Sequence, residues 1–217
     1  MAEVNLLHSL PKPKRNLAER AAATEEDKAI ACLYGKDYFD GSRKHGYGGF
    51  RYDGRWIPVA ETICQHWNLK AGDRVLDIGC AKGFLVKDLM KVCPGLEVFG
   101  IDVSEYALLN CEPEVVGRLH LGNALSLPFP DNSFTACISL NTLHNLDRNG
   151  CSKALKEMKR LAPAKGFVQV DSYRTPEERE VFLRWVLTAK THHYPADWKT
   201  LFSEAGYTGD YYWTIIE

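Results

Sequence analysis

The sequence predicts an α/β fold of three layers, a mainly parallel β-sheet with helices on both faces. Two observations carry that expectation. Beyond Ile57, short apolar runs alternate with amphipathic segments, the rhythm of repeated β–α units. The runs themselves, such as Arg74-Val-Leu-Asp-Ile78 and Phe167-Val-Gln-Val170, are too continuously apolar for strands with one wet face, so they are expected to be buried from both sides. No internal repeat or low-complexity tract interrupts the pattern.

Taken in order, Pro11-Lys-Pro-Lys-Arg15 reads as an extended basic lead-in, because its prolines forbid a helix there. Leu17 to Tyr34, rich in Ala and Glu, predicts a surface helix. Between Tyr34 and Trp56 seven aromatics (Tyr34, Tyr38, Phe39, Tyr47, Phe50, Tyr52, Trp56) are interleaved with glycines. Such a segment is too glycine-rich for a regular element and too aromatic for disorder. It is expected to fold over an apolar surface as a lid or an edge. Val59, Ile63 and Trp67 then recur at helical spacing, with Pro58 in the first turn. Strands are predicted at Arg74–Ile78, Val98–Ile101, Leu119–Leu121, Phe134–Leu140 and Phe167–Val170. Helices are predicted at Phe84–Met90, from Ser104, at Cys151–Leu161, at Pro176–Val186 and at Pro195–Ala205, and Tyr211–Ile216 closes the chain as a strand. Residues 1–56 thus read as an N-terminal helix and aromatic lid, and 57–217 as a cofactor-binding domain.

Composition narrows the function. Lys and Arg number 27 against 28 Asp and Glu, a net charge of −1, which removes the basic excess expected of a nucleic-acid binder. No apolar stretch approaches membrane-spanning length, and Met1 to Leu10 lacks a secretory pattern. Seven cysteines without paired spacing suit free thiols in a reducing, cytoplasmic compartment.

In open sheets of this kind, ligands bind beyond the carboxyl ends of the strands. Gly79 and Gly83 flank a tight turn after the first strand, where backbone amides can approach a ligand. Asp102 ends the second strand, 25 residues beyond Asp77, where a carboxylate accepts hydrogen bonds from both hydroxyls of a ribose. An adenosine cofactor follows. The dinucleotide fingerprint fails, because counting from Gly79 the third position is Ala81 and the sixth is Phe84. Asp77 would also oppose a pyrophosphate, whereas the ammonium of an amino-acid-bearing cofactor is attracted by it.

Val75-Leu-Asp-Ile-Gly79, followed by Gly83 and Asp102, resembles the signature of the class I S-adenosylmethionine-dependent methyltransferases, a family with a Rossmann-like sheet. The segment Gly122–Phe134 resembles the family's link between third and fourth strands, and Leu161-Ala-Pro-Ala-Lys-Gly-Phe167 its turn into the fifth. The resemblance covers residues 57–175. It implies S-adenosyl-L-methionine as cofactor and S-adenosyl-L-homocysteine as product. Asp77, Gly79, Ala81 and Gly83 would surround one end, Asp102 and Val103 the ribose side, and Asn123, Ala124 and Asn141 the remainder, with Asn123 at the adenine amino group. Two residues depart from the pattern. Ala81 replaces the usual middle glycine and is expected to keep a negative φ; Lys82 is expected to point to solvent. After the fifth strand the family supplies a sixth and an antiparallel seventh, but Gly206–Glu217 has room for one full strand or a very short pair. The shortened edge is expected to be covered by the N-terminal segment or by another subunit, as in a homodimer.

Methyl transfer from a sulfonium needs an aligned nucleophile and exclusion of water rather than a metal, and no Cys/His cluster has ligand spacing. His144, in Leu140-Asn-Thr-Leu-His-Asn145 after the fourth strand, is the candidate general base, with Asn141 and Asn145 as orienting groups. Its bland alternative is to cap the next turn or pack on the lid. Asp171 and Tyr173, with Arg174, end the fifth strand and are candidates to meet the acceptor; a simple Asp171–Arg174 pair is the structural alternative. Tyr47 or Tyr52 is expected to close over the sulfonium, and Arg51 or Arg55 to bind the methionine carboxylate or an anionic acceptor. The candidate catalytic residues are therefore His144, Tyr47 and Asp171, and the acceptor-binding ones Tyr52, Arg51, Asn145, Tyr173 and Arg174. Thr191-His-His-Tyr194 borders the pocket or forms an exposed turn. Nucleic-acid and protein-amide members of the family usually carry Asn- or Asp-Pro-Pro-Tyr where this chain has Asn141-Thr-Leu-His144, so the acceptor is expected to be a small molecule: a sugar, amine, amino acid or secondary metabolite. The alternatives are a non-catalytic S-adenosylmethionine-binding subunit and an NAD-dependent reductase, the latter weakened by the failed glycine count.

Overall fold

The structure, a computed structural model, describes residues 1–11 and 15–216, so most of the basic lead-in lies outside the described residues. The elements follow as α1 (Leu17–Ala21), α2 (Glu25–Ala31), α3 (Lys36–Asp40), α4 (Ile57–Trp67), β1 (Arg74–Ile78), α5 (Phe84–Val92), β2 (Glu97–Asp102), α6 (Glu105–Leu109), β3 (Leu119–Leu121), β4 (Ala136–Leu140), α7 (Arg148–Leu161), β5 (Gly166–Asp171), α8 (Pro176–Trp185), α9 (Pro195–Glu204) and β6 (Asp210–Thr214). Among the described residues the sheet has six strands in the order β3-β2-β1-β4-β5-β6, every pair parallel.

The period of two sorts each central strand between two cores. Val75, Ala136, Ile138 and Phe167 face α4 and α5, packing with Val59, Ile63, Val86 and Leu89. Leu76, Ile78, Cys137, Val168 and Val170 face the other way, onto α7 and α9, where Leu155, Met158, Trp198 and Phe202 are almost fully buried. Each such side chain contributes about 1.5–3 kcal/mol by leaving water. These two layers hold the carboxyl ends of β1, β2, β4 and β5 in one rigid row.

Three local departures from the expected pattern have clear causes. The helix expected over Leu17–Tyr34 is broken, because Thr24 takes an extended backbone to cap α2: its Oγ1 accepts from Asp27 N at 3.1 Å, and Asp27 Oδ2 accepts from Thr24 N at 2.9 Å. The aromatic segment, expected to lack regular structure, contains α3. Helix α7 starts three residues early at Arg148, since Asp147 caps it by accepting from Gly150 N at 2.7 Å.

The sixth strand is a full one, paired directly with β5 from Phe167↔Asp210 to Asp171↔Thr214. Its outer edge is met by the N-terminal segment. Tyr211 N donates to Ala2 O and Val4 N donates to Tyr211 O, both at 3.0 Å, and Leu6 and Leu7 follow into the core beside α4. None of the described helices is long and apolar enough to cross a membrane, and the seven cysteines are unpaired.

Candidate functional site

At the carboxyl ends of β1, β2 and β4 lies a cavity of about 230 Å³. Its floor comes from the turn after β1. Gly79 has φ +84°, and a Cβ there would sit 2.0 Å from Thr142 Oγ1, so only glycine lets the β1 turn lie against the β4 turn. Gly83, φ +77°, opens α5. Ala81 is a correction to the sequence reading: its φ is +50°, left-handed rather than negative. In this turn Ala81 N donates to Asp102 Oδ2 at 2.8 Å. Ser104 N donates to Asp102 Oδ1 at 2.8 Å, so both oxygens of this carboxylate are fixed in place by backbone amides.

Gly79, Ala81, Asp102, Val103, Asn123, Ala124 and Asn141 of the expected cofactor set line this cavity, as does Asn145. Gly83 and Asp77 do not. Asp77 is buried at 4% exposure, and loss of water, then the nearby Asp102 charge, push its pKa up to about 7. Asp102 is pushed upward by burial too, with the amides of Ser104, Ala81 and Val103 opposing the shift. Asn145 Oδ1 is buried and has no hydrogen-bond partner among the described residues.

The aromatic segment covers the cavity. Tyr34, Tyr38, Phe39 and Tyr47 line it, joined by edge-on and stacked contacts with ring centroids 5.1–5.9 Å apart. Phe50 stacks on Phe84 at 4.7 Å. Here a second expectation is corrected: Lys82 does not point to solvent. Its ammonium donates to Asp40 Oδ2 at 2.6 Å and to Phe50 O at 3.0 Å, while Asp40 also accepts from Phe50 N and Tyr106 OH. The residue that seemed out of place in the glycine turn is the clasp that fastens the cover to it.

A second cavity, of about 260 Å³, adjoins the first and shares Tyr38, Tyr47 and Asn141 with it. His144 and Asp171 meet here. His144 is in a tight turn after β4 and is buried. Its Nδ1 accepts from Asp171 N at 2.9 Å, and its Nε2 stands 3.6 Å from Asp171 Oδ2. An amide N–H can only donate, so the Nδ1 lone pair is occupied and the neutral ring carries its proton on Nε2. That corrects the general-base role expected of His144: the ring has no lone pair to offer an acceptor. Burial also lowers the His144 pKa against the pull of Asp171, and raises that of Asp171 against the pull of His144.

Four of the expected acceptor residues are elsewhere. Tyr52 OH donates to Asp88 Oδ1 at 2.6 Å and its ring lies 4.0 Å from the Lys87 ammonium. Arg51 and Arg174 are exposed and line neither cavity. Tyr173 is buried against Phe182, His192 and Tyr194. Arg55 pairs with Asp53. Thr191 is a buried strut, donating to Leu146 O at 2.7 Å. What the sequence did not flag is the wall of the second cavity: Arg20 of α1, Arg43, and Trp185 to Ala189 after α8. A five-residue charged helix carries no sign of its buried face, and the partner of Arg20 lies far along the chain. Among the described residues no three His, Cys, Asp or Glu converge as a metal site requires.

Comparison with known proteins agrees with this geometry. The Methyltransferase domain family matches residues 76–170. A demethylmenaquinone methyltransferase of Symbiobacterium thermophilum is 35% identical over 89 residues, 37% of this chain and 36% of that protein. Another, of Geobacillus kaustophilus, is 38% identical over 87 residues, 37% of each chain. This chain therefore spans little more than a third of the length of these curated relatives. Among solved structures, the cyclase SpnF has a similar fold, with a TM-score of 0.57 and 20% identity, covering 69% of this chain and 56% of that one.

Proposed function

We propose, residues 76–170 being a class I S-adenosylmethionine-dependent methyltransferase domain, that this chain transfers a methyl group from S-adenosyl-L-methionine to a small-molecule acceptor. The observation that carries the reading is the pair of cavities joined at Tyr38, Tyr47 and Asn141. A subunit that only bound the cofactor would need the first cavity and not the second, with its titratable pair.

The lining of the first cavity fits the cofactor. Asp102 Oδ2 accepts from Ala81 N, and its remaining lone-pair capacity is available to a ribose hydroxyl. Asn145 also lines this cavity, and its Oδ1 has no hydrogen-bond partner among the described residues. Asp77 gains from a cation nearby, since an ammonium offsets the burial of its charge. When bound, the cofactor supplies a methyl group already activated on a sulfonium. The chain aligns the acceptor and excludes water, the latter through Tyr34, Tyr38, Phe39 and Tyr47. Asp171 receives the proton that an acceptor hydroxyl or ammonium loses, its raised proton affinity suiting that task, while the His144 Nε2–H steadies its carboxylate. The names of the curated relatives support a small molecule as acceptor.

Titration calorimetry of the purified chain with S-adenosylhomocysteine tests the cofactor, with NAD as control. Binding of the first alone is the expected result. Binding of NAD alone would replace this reading with a reductase.

A further inference from the structure

The geometry points to an acceptor that bears an oxyanion, a carboxylate or phosphate held by Arg20 and Arg43 in the second cavity. This inference rests on the methyltransferase reading and names the substrate class of the same site. Arg20 is 9% exposed, its guanidinium 4.7 Å from the Trp185 ring centroid, with Nη2 donating to Gly46 O at 3.0 Å. Arg43 donates from Nη1 to Tyr47 O at 2.7 Å. Both line the cavity that contains His144 and Asp171.

Two features make this an anion site rather than a structural pair. First, the arginines are near enough for the Arg43 charge to weaken the hold of Arg20 on its proton, with burial as the larger cause and Tyr38 and Glu19 pulling the other way. Among the described residues these two guanidiniums donate to backbone carbonyls and Arg20 stacks on Trp185, so two positive charges meet at a cavity wall that Asp171 also lines. Arg20 is the buried one of the two, and holding its charge there is costly unless a counter-ion arrives. Second, backbone and ring contacts leave guanidinium donors over. A stacked, preset guanidinium suits the planar or tetrahedral oxygens of a carboxylate or phosphate better than it suits a hydroxyl. A molecule held by its anion at this wall has its other end free to reach the boundary with the first cavity at Tyr47 and Asn141.

The test uses the full chain saturated with S-adenosylhomocysteine, with saturation established by calorimetry. Thermal unfolding is followed against inorganic phosphate and, separately, propionate, with sodium chloride holding ionic strength constant. A saturable rise in midpoint is expected in the wild type, and about tenfold weaker apparent binding in R20Q and R43Q. If R20Q fails to fold, R43Q carries the test, because Arg43 is exposed at the rim. A response to phosphate alone points to a phosphoryl acceptor, and to propionate alone a carboxylic one; either supports the inference. No saturable effect beyond chloride overturns it, as does an effect unchanged in R43Q. Displacement of S-adenosylhomocysteine by the anion also overturns it, since the arginines would then serve the carboxylate of the cofactor. Failure of S-adenosylhomocysteine to bind at all would sink the methyltransferase reading instead, and the same anion titration on the ligand-free chain still reports on the arginines.

Discussion

Replacing Asp77 by asparagine should stabilise the ligand-free chain at alkaline pH while weakening its hold on the cofactor. The carboxyl is 4% exposed and its pKa is lifted from 3.8 to about 7, by burial first and the Asp102 charge second. Because the folded value lies above the unfolded one, the folded chain binds more protons between these limits. Stability therefore falls as pH rises through that window and levels off above about 7. Three pH units correspond to about 4 kcal/mol lost by pH 8. Asparagine removes the charge but introduces an amide whose donors lack partners, at about 1–2 kcal/mol. The net gain at pH 8 is then about 2–3 kcal/mol, roughly 4–12 °C in midpoint for a chain of this length. At pH 5, where most of the penalty is absent, the gain should be near zero. Thermal unfolding of wild type and D77N at both pH values, with and without S-adenosylhomocysteine, is the assay. An equal D77N effect at pH 5 and pH 8 would refute the argument that the native charge is unfavourably buried. A ligand-induced rise undiminished in D77N would refute its role beneath the cofactor.

Three further substitutions probe the same site. Asp102→Ala should weaken S-adenosylhomocysteine binding by about 1–3 kcal/mol in calorimetry, and unchanged affinity would remove it from the ribose. Ala81→Gly should raise the unfolding free energy by about 0.5–1 kcal/mol in denaturant titration, by relieving a left-handed alanine at φ +50°; destabilisation would contradict the strain. Lys82→Met should open the clasp to Asp40 and Phe50 and speed limited proteolysis within residues 43–56, where S-adenosylhomocysteine should slow cutting of the wild type; equal rates in variant and wild type would mean that the cover is held by its aromatic packing alone.

The central sheet was legible because its signals are local. Arg74–Ile78 and Leu119–Leu121 fall where the apolar runs put them, each closed by a glycine, the first buried in the sheet and the second part-exposed at its edge. The tight turn after β1 was legible for a similar reason, since Gly79 and Gly83 both adopt the left-handed backbone that glycines are there to allow. What could not be read depends on partners remote in sequence. The N-terminal segment was one of two expected covers for the C-terminal edge, but which residues do the pairing was not readable: Ala2-Glu-Val4 meets Tyr211, some two hundred residues away. Lys82 looked anomalous in its turn because Asp40 and Phe50, which explain it, belong to a segment without recognisable periodicity. The left-handed φ at Ala81 belongs to a turn packed between β1 and β4, where Gly79 lies against Thr142, and an alanine's own preference does not predict it.

His144 shows the limit most sharply. A histidine after the fourth strand is a reasonable base by residue type, and the structure does bring it to a cavity beside Asp171. Its chemistry is decided by a single backbone amide, Asp171 N, which takes the Nδ1 lone pair and thereby fixes the tautomer. The same residue, Asp171, thus sets the ring with its main chain and faces the other ring nitrogen with its carboxylate. On the function proposed above, the carboxylate rather than the imidazole would be the proton acceptor. Residue type and spacing can nominate the pair, but which member accepts the proton depends on a backbone donor that no sequence motif encodes.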